Sequence, residues 1–353
     1  MQKKIIALAI AAIVSAPAFA DNANMTVYGK AILNIESVSN DKSTLSQAMR
    51  VQTNASRFGV KGSEDLGDGM KAWFQYEVQI DADGNAGNGA GNGTRNTGVG
   101  IDAGFGTVMM GMWDTPFKLA HNKIELFDNT TVFSAVNLIG RAGGTAASYI
   151  TRKSNVVQYW SPSLGGVKVN VSYSPDEGTS AGAATTQGSN KSQTSLSATY
   201  DDHDSGIYVS AAFENRPDAS VKATTDSAAR LVARYSLGDF WIGATVESIK
   251  VNTSATASYN QSNSELVGSY KLGASTIALS YAKAGNTATS ATGANQVSLR
   301  YGMNLSKRTE LFAAYTSLKN DTAGAYGFST GTTFGTNAGS TQSATGLGVI
   351  HSF

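Results

Sequence analysis

The stretch "MKAWFQYEVQID", residues 70–81, alternates strictly between two kinds of side chain. Its even-numbered positions carry Met, Ala, Phe, Tyr, Val and Ile, and its odd-numbered positions carry Lys, Trp, Gln, Glu, Gln and Asp. A period of two over about ten residues predicts a β-strand with one apolar and one polar face. The same alternation recurs at 166–174, 205–216 and 308–317. We therefore predict an all-β protein.

The connections between these strands are of two kinds, which alternate along the chain. Seven are short turns, at 63–69, 103–106, 161–166, 201–206, 236–240, 271–275 and 304–309. Eight are long loops, at 39–47, 82–94, 114–150, 175–191, 215–227, 251–263, 284–295 and 319–342. Together they separate sixteen strands and leave both ends of the chain on the side of the short turns. This order predicts an up-and-down meander with an even number of strands.

Short turns at one end of the strands and long loops at the other decide between two all-β architectures. A soluble sandwich has no physical reason to collect every long loop at one end. An outer-membrane barrel has short periplasmic turns, long external loops and strands that are apolar outside and polar inside. Closure satisfies every backbone polar group in lipid and removes the sheet edges. We therefore predict a 16-stranded antiparallel transmembrane β-barrel whose last strand, ending at Phe353, pairs with the first, at 25–37.

Aromatic residues near the strand ends are expected in the girdles at the two membrane interfaces. They are Tyr28, Trp160, Tyr173, Tyr200, Tyr235, Phe240, Tyr270, Tyr301 and Phe353. Trp113 and Trp160 could also stack on sugar rings in a specific channel, or pack on the wall.

The N-terminal sequence predicts export. Residues 1–20 combine Lys3 and Lys4, an apolar run too short to span a membrane, and a small-residue cleavage site at 18–20, as in a secretory signal peptide. The barrel is then expected over 21–353. Its 25 basic and 26 acidic residues provide no basic excess for nucleic acid. The chain has no cysteine, and its motifs indicate no cofactor.

The longest connection, 114–150, is the most apolar of the loops. An external loop with so many hydrophobic residues has to bury them, and folding inward against the barrel wall is the available route. A barrel of this strand number encloses a lumen too wide for wall side chains to fill. We therefore expect the third loop to fold inward and narrow the channel.

Charged residues on the polar parity are expected to line this constriction. Basic residues on that parity are Lys30, Arg57, Lys61, Arg95, Arg152, Lys168, Arg230, Arg234 and Arg300, and the loop supplies Asp114, Glu125 and Asp128. Opposed charges across a narrow gap create a transverse field that separates cation and anion paths. From these we predict a constriction set of Lys30, Arg57, Arg95, Asp114, Glu125, Asp128, Arg152 and Arg300. The alternative is that these are ordinary lumen charges that satisfy one another.

Several stretches resemble the general diffusion porins of Gram-negative outer membranes, most closely the β-proteobacterial branch. They are "TVYGKAIL" (26–33), "SRFGVKGSEDLGDGMKAWFQYE" (56–77), "AGFGTVMMGMWDTP" (103–116), "SNVVQYWSPSLGGVKVNVSY" (154–173), "YGMNLSKRTELFAAYTSLKN" (301–320) and "GLGVIHSF" (346–353). The resemblance implies a sixteen-stranded barrel, usually a homotrimer, in outer-membrane lipid and lipopolysaccharide. It implies passive diffusion of inorganic ions and small hydrophilic solutes, with the third loop as the constriction.

The resemblance also assigns roles to single residues. Lys30, Arg57 and Arg95 match the basic wall cluster of general porins, and Phe353 matches a terminal signal for the outer-membrane assembly machinery. Two features depart from the family pattern. Ile350 stands where relatives commonly have an arginine, and the third loop lacks an acid-glycine motif of enterobacterial relatives.

Other functions rest on weaker signals. A barrel-embedded hydrolase needs a catalytic histidine near the outer rim, and His121 is the one candidate in an external loop. A solute-specific channel or an adhesin is compatible with the polar loops. The acid-rich stretches 81–85 and 201–206 are better explained as a loop tip and a tight turn than as metal sites.

Overall fold

The computed structural model describes residues 24–43, 47–83, 95–127, 131–144, 147–175, 191–328 and 337–353. The proposed signal peptide and Asp128 lie outside these ranges, so both remain predictions. Among the described residues, no helix is long and apolar enough to span a membrane.

The chain forms one large antiparallel sheet and a small separate hairpin. The strands are β1 (Asn24–Asn40), β2 (Gln47–Thr53), β3 (Arg57–Gly67), β4 (Met70–Gln79), β5 (Thr97–Ala103), β6 (Gly106–Asp114), β7 (Arg141–Ala142), β8 (Ala147–Ser148), β9 (Arg152–Trp160), β10 (Val167–Ser174), β11 (Gln193–Asp202), β12 (Ile207–Pro217), β13 (Thr225–Leu237), β14 (Phe240–Asn252), β15 (Ser258–Leu272), β16 (Ser275–Ala284), β17 (Ala294–Asn304), β18 (Thr309–Asn320) and β19 (Thr341–Ser352). Only β7 and β8 lie outside the large sheet, and they pair with each other. Because β2 and β3 both pair with β1 as two parts of one wall strand, the seventeen-stranded sheet is a barrel with sixteen wall strands.

The barrel closes between its first and last strands, as predicted. β1 pairs with β19 from Lys30↔Ser352 to Asn40↔Gln342. Gly29 and Phe353 then exchange two backbone hydrogen bonds of 3.0 Å each. A Cβ atom at Gly29 would collide with the Phe353 ring, so the closure leaves no space for a side chain there.

The seven short turns occur where the sequence predicts them, between consecutive strands at 68–69, 104–105, 161–166, 203–206, 238–239, 273–274 and 305–308. Two of the long loops are much shorter than predicted. The loop predicted at 251–263 spans only 253–257, because β15 begins at Ser258. Gln261 and Asn263 look like loop residues in the sequence, but both are buried and donate hydrogen bonds to the Arg141 carbonyl at 3.1 and 2.8 Å. The predicted loop 215–227 is likewise reduced to 218–224.

The outward face of the barrel is apolar and exposed. Its large exposed side chains include Val27, Ile35, Phe74, Tyr76, Val99, Met110, Leu196, Leu231, Val246, Leu266, Leu279, Leu299 and Leu347. The inward face carries polar and small side chains, many of them buried, such as Asn34, Glu77, Ser195, Ala228, Thr245 and Gln296.

The two apolar clusters of the molecule lie between the inward face and the third connection, which we define as residues 115–151. One contains Phe133, Leu138 and Ile139 of that connection with Ala314 and Ala344 of the wall. The other contains Phe117, Ile124 and Tyr149 with Ala228 and Val232. The hydrophobic residues that the sequence analysis singled out are therefore buried against small wall residues.

Candidate pore constriction

The third connection begins with a short helix on the inner wall. Thr115 caps helix α1 (Pro116–His121) by accepting a hydrogen bond from the Lys118 N–H at 3.3 Å, and Pro116 suits the first helical position. The Phe117 N–H donates to Ser195 Oγ at 3.0 Å, and the Tyr208 hydroxyl donates to the Ala120 carbonyl at 2.8 Å. These bonds hold α1 against the inward side chains of β11 and β12.

The returning part of the connection contacts a different stretch of wall. A 3₁₀ turn spans Ala135–Asn137. Asn137 Nδ2 donates to Gln296 Oε1 on β17 at 3.3 Å, and Asn263 Nδ2 on β15 donates to the Leu138 carbonyl at 3.3 Å. Both ends of the connection are thus fastened to inward-facing polar residues.

One buried ion pair joins the two parts of the connection. Arg230 and Glu247, on neighbouring strands, have side chains with 0% exposure and a 2.7 Å contact from Nη2 to Oε2. Arg230 Nη1 also donates to the Phe117 carbonyl at 2.9 Å, and Glu247 Oε1 accepts from the Gly140 N–H at 2.6 Å. The pair therefore binds the start and the end of the third connection at once.

A second charged group is built on Glu77, which faces inward from β4. Its Oε1 accepts from Arg95 Nε at 2.5 Å, its Oε2 lies 3.8 Å from Arg57 Nε, and its Oε2 also accepts from the Tyr28 hydroxyl at 3.0 Å. Arg57 and Arg95 are thereby held side by side on one part of the wall.

Asp114 differs from its predicted setting. It was expected in the third loop, facing a basic wall, but it is the last residue of β6 and therefore part of that wall. Its Oδ1 lies 2.8 Å from Lys118 Nζ and 3.1 Å from Arg152 Nη2. Asp114 pairs with cations on its own side of the lumen because the strand ladder continues to this residue, opposite Arg152. We call Arg57, Arg95, Lys118 and Arg152 the basic cluster.

Glu125 lies in the third connection and is buried. Its Oε1 accepts from the Phe127 N–H at 2.8 Å and from Ser134 Oγ at 3.0 Å, and its Oε2 lies 3.9 Å from His121 Nδ1. Burial raises the pKa of Glu125 to about 6, although the His121 charge acts in the opposite direction. On its other side, His121 Nε2 lies 2.6 Å from Glu265 Oε2 of the wall.

Two cavities adjoin Glu125. The first, of about 270 Å³, lies between the wall and helix α1 and is lined by Arg57, Glu77, Arg95, Asn96, Asp114, Lys118, Leu119, Asn122 and Glu125. The second, of about 260 Å³, has Lys30, Arg300, Lys307, Arg308 and Glu310 among its lining residues. The structure thus groups Arg57, Arg95, Asp114 and Glu125, whereas Lys30 and Arg300 belong to a neighbouring space. Arg152 joins the first group through Asp114.

Sequence reasoning missed two members of the first cavity that matter for its charge. Glu77 is a polar-parity residue of the very strand that revealed the period, and its charge could have been paired with the predicted arginines. Lys118 follows Asp114 by four residues, a spacing at which opposite charges meet on a helix, but α1 itself was not expected.

Two aromatic residues predicted for the interfacial girdles face the lumen instead. Tyr28 alternates with outward Val27 and reaches Glu77. Trp160 shares its parity with buried Gln158 and lies 5.8 Å from Trp73 and 5.6 Å from Trp113, between ring centroids. Position near a strand end does not by itself distinguish the two faces of the wall.

His121 has no access that a hydrolase would require. Its side chain has 0% exposure and is enclosed by Glu125 and Glu265. In the part of the chain that the structure describes, no group of His, Cys, Asp and Glu side chains is arranged to hold a metal ion.

Comparison with known proteins agrees with this architecture. A family model for Gram-negative porins matches residues 7–323. The chain is 29% identical to outer membrane porin protein 32 of Delftia acidovorans, over 100% of both chains. Its fold matches the anion-selective porin from Comamonas acidovorans with a TM-score of 0.83 at 24% identity, over 94% of this chain and 100% of that one. It matches a trimer form of OmpT of Vibrio cholerae with a TM-score of 0.68 at 14% identity, over 94% and 100%. The chain therefore belongs to the Gram-negative porin family, whose members form diffusion channels as β-barrels in the outer membrane.

Proposed function

We propose that this porin is a diffusion channel with a moderate preference for anions, set where the third connection narrows the lumen beside the basic cluster. The observation that carries the proposal is a difference in exposure between the two signs of charge. Arg57, Arg95, Lys118 and Arg152 keep 13% to 21% of their side-chain surface exposed, whereas the carboxylates of Glu77, Asp114 and Glu125 keep 3% to 9%.

The number of charges alone would not favour either ion. The first cavity is lined by three cations and three carboxylates. Hydrogen bonds or ion pairs within the protein engage the carboxylates and the cations alike, but the cations keep more of their side-chain surface exposed. An ion in the cavity therefore meets mainly guanidinium and ammonium groups, and it interacts with them more strongly than in bulk water.

The second cavity supports the same sign of selectivity. Lys30, Arg300, Lys307 and Arg308 line it together with only two carboxylates, of Glu125 and Glu310. Arg300 is paired with Glu310 at 2.6 Å. The basic excess lies towards the short-turn end, where it would raise the local concentration of anions. The Comamonas relative, described as anion-selective, agrees with this proposal.

The test is the reversal potential of the purified porin in a planar bilayer with a potassium chloride gradient. The wild type is expected to give the sign of an anion-preferring channel, and Arg57→Glu is expected to move the potential towards the cation side. Lys250→Glu makes the same change of charge on an exposed position of β14 and is the matched control. A cation-preferring wild type, or equal shifts in both variants, would contradict the proposal.

We also propose that the protein is a homotrimer in outer-membrane lipid and lipopolysaccharide. We propose in addition that the outer-membrane assembly machinery recognises the chain through Phe353. The trimer form of the Vibrio relative and the position of Phe353 at the barrel seam support this. Chemical crosslinking of intact outer membranes tests the oligomer, and a ladder that stops at the monomer would refute it.

A further inference from the structure

Three of the four tryptophans of this chain form one cluster, which we call the tryptophan cluster. Trp73 and Trp160 are stacked, with an interplanar angle of 11° and centroids 5.8 Å apart. Trp113 meets Trp73 edge-on at 5.7 Å and Trp160 at 5.6 Å. These residues come from β4, β6 and β9, so the cluster spans several neighbouring wall strands.

The tryptophan cluster faces the lumen. Trp73 shares a parity with inward Glu77, while Phe74 and Tyr76 on the other parity are 40% and 45% exposed on the outer surface. Trp73, Trp113 and Trp160 are only partly buried. Solutes in the channel can therefore reach indole surface that lipid cannot.

The wall is shaped to hold this cluster. Trp73 Nε1 donates to Asp102 Oδ1 at 3.2 Å, and Thr107 Oγ1 donates to the same oxygen at 2.6 Å. A Cβ atom at Gly100 would lie 2.6 Å from the Trp73 ring, so the indole occupies the place of a missing side chain. The first indole is thus fixed by a hydrogen bond and by shape.

The other two indoles retain a free donor. Within the described ranges, the side-chain hydrogen bonds of the cluster are confined to Trp73, and neither Trp113 nor Trp160 has a protein acceptor for its indole N–H. Two donors therefore remain for water or for a solute.

The cluster adjoins the basic cluster along the lumen. Trp113 directly precedes Asp114, whose carboxylate is 3.1 Å from Arg152. Trp73 lies four residues before Glu77, the partner of Arg57 and Arg95, which is about 13 Å along a strand. A solute that passes the basic cluster thus meets the indoles next.

We propose that these two groups form a binding site for aromatic monocarboxylates. The partly exposed cations attract the carboxylate, and the indoles present faces and edges to the aromatic ring, a contact that simple inorganic anions cannot make. This inference rests on the proposed function, because it uses the basic cluster to attract the charged end of the solute.

The composition of the chain makes the site directly observable. In a Trp241→Phe variant, the tryptophan cluster contains every remaining indole, so selectively excited tryptophan fluorescence reports on it alone. We would titrate this variant in detergent micelles with benzoate, cyclohexanecarboxylate, acetate and benzyl alcohol. Benzoate is expected to quench the fluorescence saturably, and to bind about five- to tenfold more tightly than cyclohexanecarboxylate, because an aromatic pair gains more than its buried area provides.

Channel measurements on the otherwise unchanged protein complete the test. Benzoate should reduce the single-channel potassium chloride current saturably, with an apparent affinity that Trp73→Leu weakens about fivefold and Trp73→Phe largely keeps. Trp241→Phe is the control, since Trp241 contacts Arg234 instead of the cluster. The fraction that resists denaturation in unheated detergent shows whether each variant folds.

Distinct results would overturn the inference. Equal binding of benzoate and cyclohexanecarboxylate would exclude a role for the indole faces. Equal binding of benzyl alcohol would exclude the carboxylate and point to a site for neutral rings. Either result can occur with an anion-preferring reversal potential, so the failure of this site is distinguishable from failure of the proposed function.

Discussion

Replacing Arg230 by methionine removes the cation that joins the two parts of the third connection. The guanidinium donates to Glu247 from Nε at 2.9 Å and from Nη2 at 2.7 Å, and to the Phe117 carbonyl from Nη1 at 2.9 Å. Methionine fills much of the same volume but leaves Glu247 charged and fully buried. Removal of one partner from a buried ion pair costs about 3–5 kcal/mol.

This cost should appear mainly as a loosening of the third connection. The connection keeps other anchors, among them the bond from Phe117 to Ser195 and the contact of His121 with Glu265, so we expect more frequent opening and not complete release. A local cost of about 3 kcal/mol increases the equilibrium constant for opening of the third connection by about a hundredfold. Amide hydrogen exchange of 116–144 should accelerate accordingly, and open-channel current noise should increase.

The double variant Arg230→Met with Glu247→Gln shows how much of the cost comes from leaving the Glu247 carboxylate buried without its cation. Its glutamine can still accept from the Gly140 N–H, so its cost should be smaller than that of Arg230→Met, by about 2 kcal/mol. Arg50→Met is the control for the loss of a wall ion pair: it breaks the 2.6 Å contact with Glu36, in which Arg50 keeps 15% of its side chain exposed and Glu36 none. Exchange of the third connection that is unchanged in Arg230→Met, or additive effects of the two substitutions, would refute this reasoning.

Three further predictions concern pH, the seam and the basic cluster. Burial raises the pKa of Glu125 from 4.5 to about 6. Protonation of Glu125 therefore stabilises the folded barrel by about 2 kcal/mol below pH 4.5, and this stabilisation is lost as the pH rises through about 6. Acidification through that window should also neutralise Glu125 and increase the anion-to-cation permeability ratio, and Glu125→Gln should abolish this change in reversal-potential measurements. Gly29→Val should displace the Phe353 ring and lower the heat-modifiable folded fraction in outer membranes severalfold. Phe353→Ala tests the terminal signal with Gly29 intact, and normal assembly of both variants would contradict these roles. Asp114→Asn leaves Lys118 and Arg152 without their shared counter-charge, so it should increase anion preference, and a shift towards cations would argue against the proposed field.

The sequence predicted the barrel because lipid imposes regular requirements on it. Every wall strand must alternate, every backbone group must be paired, and the two ends face different compartments. These constraints are local and repeat many times, so strand number and closure at Phe353 could be predicted before the structure was known.

The lumen follows no such repeat. Alternation did not indicate the break at 54–56 within the second wall strand, where Ala55 has a positive φ of 51°. It also treated Gln261 as a loop residue, although its polar side chain is buried against the third connection. Glu77 was assigned to a polar face correctly, and Asp114 was assigned to the third loop instead of the end of β6, but which charges pair depends on strand register and on α1. Contacts between distant segments decide these features, and single-strand patterns do not contain that information.

The seam between Gly29 and Phe353 has a consequence for the order of folding. It joins residues from nearly opposite ends of the chain, so the contact has close to the largest sequence separation available. Until the C-terminus is present, the long strand β1 has one edge with unsatisfied N–H and C=O groups, ready to pair with another chain. The unclosed barrel is therefore exposed to pairing with other chains for as long as its first strand waits for its last.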